Sequence, residues 1–348
     1  SDEIAEALRL PSYYRIIFTS GGSESNNLFI KGTCFPDKKT ACLGLEHPSV
    51  TSTLDYFKEF GNPPLILRNF QEAGRLNPTA VPALQENRIR LLCLSHVNNE
   101  LGSVNGSQQF QAILKEGSSQ TRLFLDGVQA VGKLKLDRSF WETVSGYSIS
   151  GHKINGPKGI GLLAYDSRLP LAPQIHGGKQ QFGVRSGTLP VPLILGLAES
   201  VKRAAINTEE TQAHLKKLFR HLITGLHDLS DRVPHLQVRI NSSSSQDINL
   251  QSPAIVNFSF PPVEGEVLLH HLEEKEIYVG LGSACSSHSK ESSKILTGIG
   301  LTEEEARCSL RISFSRQNSL KEIDTFLEEF ARAYQSLYPT FSKQTEIK

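Results

Sequence analysis

Six apolar runs of strand length, each ended by a turn, limit what this chain can fold into. RIIFTSGGSESNNLFIKG (15–32) shows the unit in full: a short apolar strand, a Gly/Ser turn, then a helical pattern. TACLGL (40–45), IRLLCLSHV (89–97), TRLFLDGVQAVG (121–132), GYSIS (146–150) and GIGLLAY (159–165) supply the other five. Strands alternating with helical segments such as 106–117 predict a mostly parallel sheet with crossover helices. Sheets of that kind bind ligands at the polar ends of their strands. From about residue 191 the texture changes to long amphipathic helices, 191–206 and 208–229, then a polar loop, 241–253. Strands at 254–260 and 309–315, a helix at 265–277 and a final helix at 319–337 follow. The expected division is a large domain, 1–200, and a smaller α+β domain, 201–348.

Composition removes several functions. The 37 basic residues stand against 36 acidic ones, so the balance gives no footprint for nucleic acid. No apolar run is long enough to cross a bilayer, and SDEIAEALRL does not resemble a signal peptide. Cys34, Cys42, Cys93, Cys285 and Cys308 form no CxxC pair, which argues against a disulfide framework and against a zinc site. A reducing, cytoplasmic setting is expected.

Two glycine-bearing turns invite an anion. In SGGSESNN (20–27) a strand-to-helix turn directs backbone N–H groups and a hydroxyl at one point, where the helix dipole favours negative charge. Such turns also serve as plain connections. The second, SGHKINGPKGIG (150–161), departs from the Walker pattern because Pro157 and Lys158 follow Gly156. By itself it is either a basic surface turn or a confined lysine, Lys153, whose amine is a nucleophile. Asp126, at the end of the preceding apolar strand, changes the balance. Pyridoxal phosphate chemistry needs a lysine to hold the cofactor and an acid on its pyridinium nitrogen, which keeps the ring an electron sink.

Three more residues stand out. Cys285 in GSACSS (282–287) sits among small residues, as an accessible thiol does, whereas structural cysteines lie among large apolar ones. His47 in LEHPSV (45–50) is a structural histidine or one that stacks on a ring and moves protons. Arg311 in SLRISFSR (309–316) is a strand-edge charge or a bidentate carboxylate clamp.

The runs FTSGGSESNN, LEHPSV, HVNNELG, DGVQAVGKLKLD, SGHKINGPKGIG, GVRSGTL, GSACSS and LRISFSR follow one another over nearly the whole chain. In that order they resemble the NifS/IscS-type cysteine desulfurases, fold-type I pyridoxal-phosphate enzymes of the class-V aminotransferase family. The resemblance implies an α/β fold: a mostly parallel seven-stranded-type sheet with helices on both faces, plus a smaller α+β C-terminal domain carrying the Cys285 loop. It implies roles as well. Lys153 tethers pyridoxal 5'-phosphate and moves the substrate α-proton. Asp126 pairs with the pyridinium nitrogen, Gln129 with the ring hydroxyl, and His47 stacks on the ring. The Gly22 backbone, Ser23, Ser150 and His152 hold the phosphate, with Thr188 reaching the phosphate of a partner subunit, so that a homodimer shares its sites. Asn99 and Arg311 grip the carboxylate of L-cysteine. Cys285 takes the sulfur as a persulfide, leaving L-alanine, for delivery to an acceptor such as an iron–sulfur scaffold. The glycines of 150–161 become room for the cofactor, and no metal is implied. A selenocysteine lyase or related C–S or C–Se lyase is the alternative. A non-catalytic interaction protein is disfavoured by the intact Lys153, Asp126 and His47. The chain departs from the family pattern at Ser23, where a threonine is usual, and at HGGKQQFG (176–183), where a glycine-rich GGGQE form is usual. It also has 17 residues before Phe18, where the family has several tens.

Overall fold

All six apolar runs become strands of one sheet, and a seventh strand joins them. The computed structural model describes residues 1–34, 38–106, 109–111, 121–282 and 292–345. They fall into two units: Ser1–Gln71, Arg75–Asn98 and Val104–Glu209 in the first, Glu72–Gly74, Asn99–Ser103 and Glu210–Lys348 in the second.

The first unit holds β1 (Tyr14–Thr19), β2 (Thr40–Leu43), β3 (Leu65–Leu67), β4 (Leu91–Ser95), β5 (Arg122–Asp126), β6 (Gly146–Ser150) and β7 (Gly161–Asp166). Their order across the sheet is β1-β7-β6-β5-β4-β2-β3. β7 alone runs against its neighbours; the remaining pairings are parallel. The short strands β2 and β4 are buried at every position, which is why they read as unbroken apolar runs. Helices α1 (Asp2–Ala7), α2 (Gly22–Thr33), α3 (Pro48–Asp55), α4 (Val81–Glu86), α5 (Arg138–Thr143) and α6 (Val191–Ile206) accompany the sheet.

Packing explains two of the less obvious sequence choices. Phe29 of α2 stacks on Phe124 of β5, with centroids 4.8 Å apart. It fits because residue 146 is glycine: a Cβ there would lie 2.4 Å from the Phe29 ring. Burying such a ring contributes about 1.5–3 kcal/mol. Strand alternation sends Tyr147 to the opposite face, where it meets Phe140 and Trp141 edge-on. His96 joins that cluster, stacked 5.0 Å from Phe140. It donates or accepts at the Tyr147 hydroxyl, 2.8 Å away, and burial pushes its pKa down to about 3. His96 is thus a neutral core residue.

The second unit holds a three-stranded antiparallel sheet of β8 (Arg239–Ile240), β9 (Ile255–Ser259) and β10 (Ser309–Ser313), ordered β10-β9-β8. Its helices are α7 (Thr208–Arg232, which begins in the first unit), α8 (Gly265–Glu273), α9 (Lys294–Gly298), α10 (Glu303–Arg307) and α11 (Leu320–Thr345). Phe258 and Phe260 pack edge-on against Phe330 of α11. The Tyr334 hydroxyl donates to the carbonyls of His235 and Pro261, at 3.0 and 3.1 Å. Among the described residues no helix is long and apolar enough to cross a membrane.

Candidate active site

Parallel strands end on a common edge, and that edge of the first unit collects the polar residues. Asp126 closes β5 and is buried. Its Oδ1 accepts the Val128 N–H at 3.0 Å, and its Oδ2 accepts Asn26 Nδ2 at 2.8 Å. The turn after it is tight because residue 127 is glycine; a Cβ would lie 2.0 Å from the Tyr147 ring. Asn26 Nδ2 also donates to Ser49 Oγ at 2.8 Å, and Ser49 Oγ meets His47 Nδ1 at 2.8 Å. A polar chain therefore runs Asp126–Asn26–Ser49–His47.

His47 caps α3: its Nδ1 accepts the Ser49 N–H at 3.1 Å. With Nδ1 an acceptor, the neutral ring carries its proton on Nε2. Burial holds the His47 pKa down, Asp126 pulls it up, and the Lys153 charge lowers it again, for a net fall below the ordinary value.

Two turns close around this chain. Gly22 opens α2 against Val128, where a Cβ would approach within 2.5 Å of the Val128 side chain. Ser150 ends β6, and the 3-10 turn Gly151–Ile154 follows with His152 and Lys153 exposed on it. Ser150 Oγ lies 3.0 Å from His152 Nδ1, and 3.8 Å from where a Cβ on Gly21 would stand. Gly161 holds the two turns together. It pairs with Ser150 on one side and Thr19 on the other, and a Cβ there would be 2.7 Å from Gly21 Cα. A Cβ at Gly151 or Gly156 would likewise press on backbone oxygen, at 2.8 and 2.9 Å. Gly151, Gly156 and Gly161 thus make room for neighbouring chain, while Gly159 stands in open space with a left-handed φ of 78°. Burial, then Lys153 and Lys158, lower the His152 pKa.

Three further groups belong to this edge, none of which sequence reasoning singled out as a site residue beforehand, besides Asn26 and Ser49. Glu46 is fully buried, and burial together with the nearby Asp126 charge pushes its pKa up to about 8 against the pull of a short hydrogen bond from Ser95 Oγ. Lys133 Nζ donates to Gln129 Oε1 at 3.1 Å; burial, then the Lys153 charge, push its pKa down to about 8. Glu24 forms an ion pair with Arg185 at 2.9 Å in the α2 first turn. Burial works against its ionisation, yet hydrogen bonds from Arg185 and Ser20 hold its carboxyl below the ordinary range.

The residues fit pyridoxal phosphate. A buried carboxylate held by neutral N–H donors is matched by a cationic N–H, which a pyridinium supplies. Asn26 Oδ1, beside Asp126, is buried without a hydrogen-bond partner among the described residues. The α2 N-terminus, Ser150 and His152 form the donor set that a phosphate requires.

Gly22, His47, Asp126, Gln129, Ser150, His152 and Lys153 are thus on the same strand edge, while Ser23 is exposed in the first turn of α2. Thr188 is exposed in the segment before α6, and no described contact joins it to the others. Asn99 and Arg311 belong to the second unit, where Arg311 Nη1 donates to the Asn99 carbonyl at 3.2 Å. Beside them Ser293 Oγ donates to Glu100 at 2.5 Å, and burial raises the Glu100 pKa to about 7 against that bond and the Arg311 charge. Cys285 lies outside the described residues.

Comparison with known proteins gives a consistent result. The aminotransferase class-V family matches residues 1–326. Cysteine desulfurase IscS of Vibrio vulnificus is 35% identical over 344 residues, covering 97% of this chain and 80% of that one. Cysteine desulfurase IscS of Klebsiella pneumoniae is 38% identical over 317 residues, covering 89% and 74%. A solved NifS-like protein from Rickettsia africae aligns with a TM-score of 0.79 at 27% identity, covering 95% of this chain and 86% of that one.

Proposed function

Since the chain belongs to the class-V aminotransferase family and to its NifS/IscS-type cysteine desulfurases, we propose that its first unit binds pyridoxal phosphate and that the protein moves sulfur from L-cysteine to Cys285. The supporting observation is the chain Asp126–Asn26–Ser49–His47, set beside the Lys153 turn on one strand edge.

The bound cofactor supplies an electron-withdrawing ring that acidifies the substrate α-carbon and weakens the C–S bond. Asp126 would accept the ring-nitrogen N–H, and Gln129, whose Oε1 accepts from Lys133, would hold the ring hydroxyl. Ser23, the Gly22 N–H, Ser150 and His152 hold the phosphate, helped by the α2 dipole. Lys153 Nζ would tether the cofactor and serve as the base for the substrate α-proton. His47, its Nδ1 fixed by Ser49 and its proton therefore on Nε2, would support the ring and donate a proton. Asn99 and Arg311 bind the substrate carboxylate. The Cys285 thiolate attacks the substrate sulfur; the C–S bond breaks with its electron pair on carbon, which takes up a proton to give L-alanine, and Cys285 keeps the sulfur as a persulfide.

A homodimer completes the reading. Phe182, Val191 and Leu195 are 65%, 57% and 63% exposed and bracket Thr188, an apolar patch suited to a second copy. Cys34, Cys42, Cys93 and Cys308 are free thiols, in keeping with a cytoplasmic location. The persulfide then passes to a sulfur acceptor, for which an iron–sulfur scaffold is our choice.

The test is a spectrum and an assay. Purified protein with added pyridoxal phosphate acquires a visible band that Lys153→Ala lacks, and it releases alanine from L-cysteine. A protein that stays colourless with cofactor present overturns the reading.

A further inference from the structure

The opposite edge of the same sheet carries a second concave feature. Lys39 and Arg90 stand just before β2 and β4, and Arg122 opens β5. Backbone hydrogen bonds link the three strand starts: the Arg90 N–H donates to the Lys39 carbonyl, and the Arg122 N–H to the Arg90 carbonyl, both at 2.8 Å, while in register Arg122 opposes Leu91. Neighbouring strands lie about 4.8 Å apart, so the backbones that carry these three cations are adjacent at this edge. Lys38, Arg88 and Arg168 join them around a cleft of about 710 Å³. Half-buried Leu169 and exposed Pro170 give the same cleft an apolar margin. Arg122 precedes Asp126 by four residues on one strand, about 13 Å at 3.3 Å per residue, so this cleft is separate from the cofactor edge.

Charge here is out of balance. The whole chain carries +1, yet six cations line this cleft and, among the described residues, no carboxylate does. Asp166 pairs with Arg168 at 2.7 Å and also interacts with Arg122. The C-terminal end of α2 reaches the cleft at Thr33 and adds about half a negative charge. Leaving Lys38 aside, these offset only a minority of the five remaining positive charges. Lys39, Arg88, Arg90, Arg122 and Arg168 are exposed, so a ligand reaches them. Guanidinium groups bind phosphate oxygens in pairs, and four of the six cations are arginines.

We propose that this cleft binds a small oligophosphate, a ligand with two or more linked phosphate groups, free or carried on a nucleoside. The volume lies within the range of small-molecule sites, about 300–1,000 Å³, and concavity favours a small ligand over a flat macromolecular contact. The apolar margin of Leu169 and Pro170 beside the cations suits a base next to its phosphates.

Calorimetric titration of the cofactor-loaded protein, freed of excess cofactor, tests this with inorganic tripolyphosphate, ATP and adenosine. Tripolyphosphate or ATP binds saturably, one per chain, and binding weakens on raising salt from 50 to 200 mM, as exposed cations require. The double variant Arg90→Gln/Arg122→Gln weakens binding at least about tenfold, each lost charge-assisted pair counting strongly, with alanine production unchanged. His152→Ala, which alters the cofactor edge, leaves oligophosphate binding as it was. ATP binding tighter than tripolyphosphate identifies a nucleoside-borne source; equal binding identifies the phosphates alone. Absence of saturable binding, binding insensitive to the double variant, or adenosine binding as tightly as ATP overturns the proposal.

Discussion

Glu46→Gln is the sharpest probe of the site's electrostatics. Glu46 is fully buried next to the Asp126 charge, and its pKa is pushed from 4.5 up to about 8. The native state therefore keeps a proton that the unfolded chain releases above the ordinary carboxylate range. Stability contributed by this group is complete below pH 4.5 and is lost as pH rises toward 8. Each pH unit in that window costs about 1.4 kcal/mol, so the step from pH 5.5 to 7.5 costs about 2.7 kcal/mol. Glutamine keeps the shape and an acceptor for Ser95 Oγ but has no proton to lose. The assay is urea unfolding at pH 5.5, 6.5 and 7.5, followed by fluorescence of Trp141, the single tryptophan, which is buried in the first unit. Wild type should lose stability relative to Glu46→Gln by that amount over those two units, with all other titrations cancelling in the difference. Parallel pH dependences would mean that Glu46 is already ionised in the native protein, and the burial reasoning would fall.

Three other outcomes are expected. Lys153→Met should raise the His47 pKa in the apoprotein, since the Lys153 charge lowers it; a histidine NMR titration showing no rise contradicts that coupling. Gly161→Ala should cost about 1–3 kcal/mol of stability and weaken cofactor uptake, because its new Cβ meets backbone on two sides; a wild-type urea midpoint refutes the contact. Cys285→Ala should keep the cofactor colour yet reduce alanine release from L-cysteine to background. Undiminished turnover sinks the persulfide step, and selective survival of L-selenocysteine turnover favours the lyase alternative.

Where burial follows from pattern, the sequence was readable. GYSIS became β6, Gly146–Ser150, and the segment 191–206 became α6 residue for residue. β3, Leu65–Leu67, escaped because three residues after two prolines carry no period. The reversed direction of β7 also escaped, since an apolar run has no arrow. At the site, Lys153, Asp126 and His47 stood out through residue type and neighbouring turns. Asn26 and Ser49 did not: their partners lie 100 and 23 residues away in sequence, so SESNN looks like any polar helix start. Glu46 was hidden for the opposite reason, as an acid beside a more conspicuous histidine.

Gly161 carries one more consequence. It pairs with Thr19 and Ser150 at once, so the turns after β1 and β6 meet only when β7 sits at one register between those strands. A slip of one residue would invert every side chain along β7 and part the turns. One glycine pairing thus sets the spacing of two distant turns, and any change that shifts β7 by a residue acts on both at once.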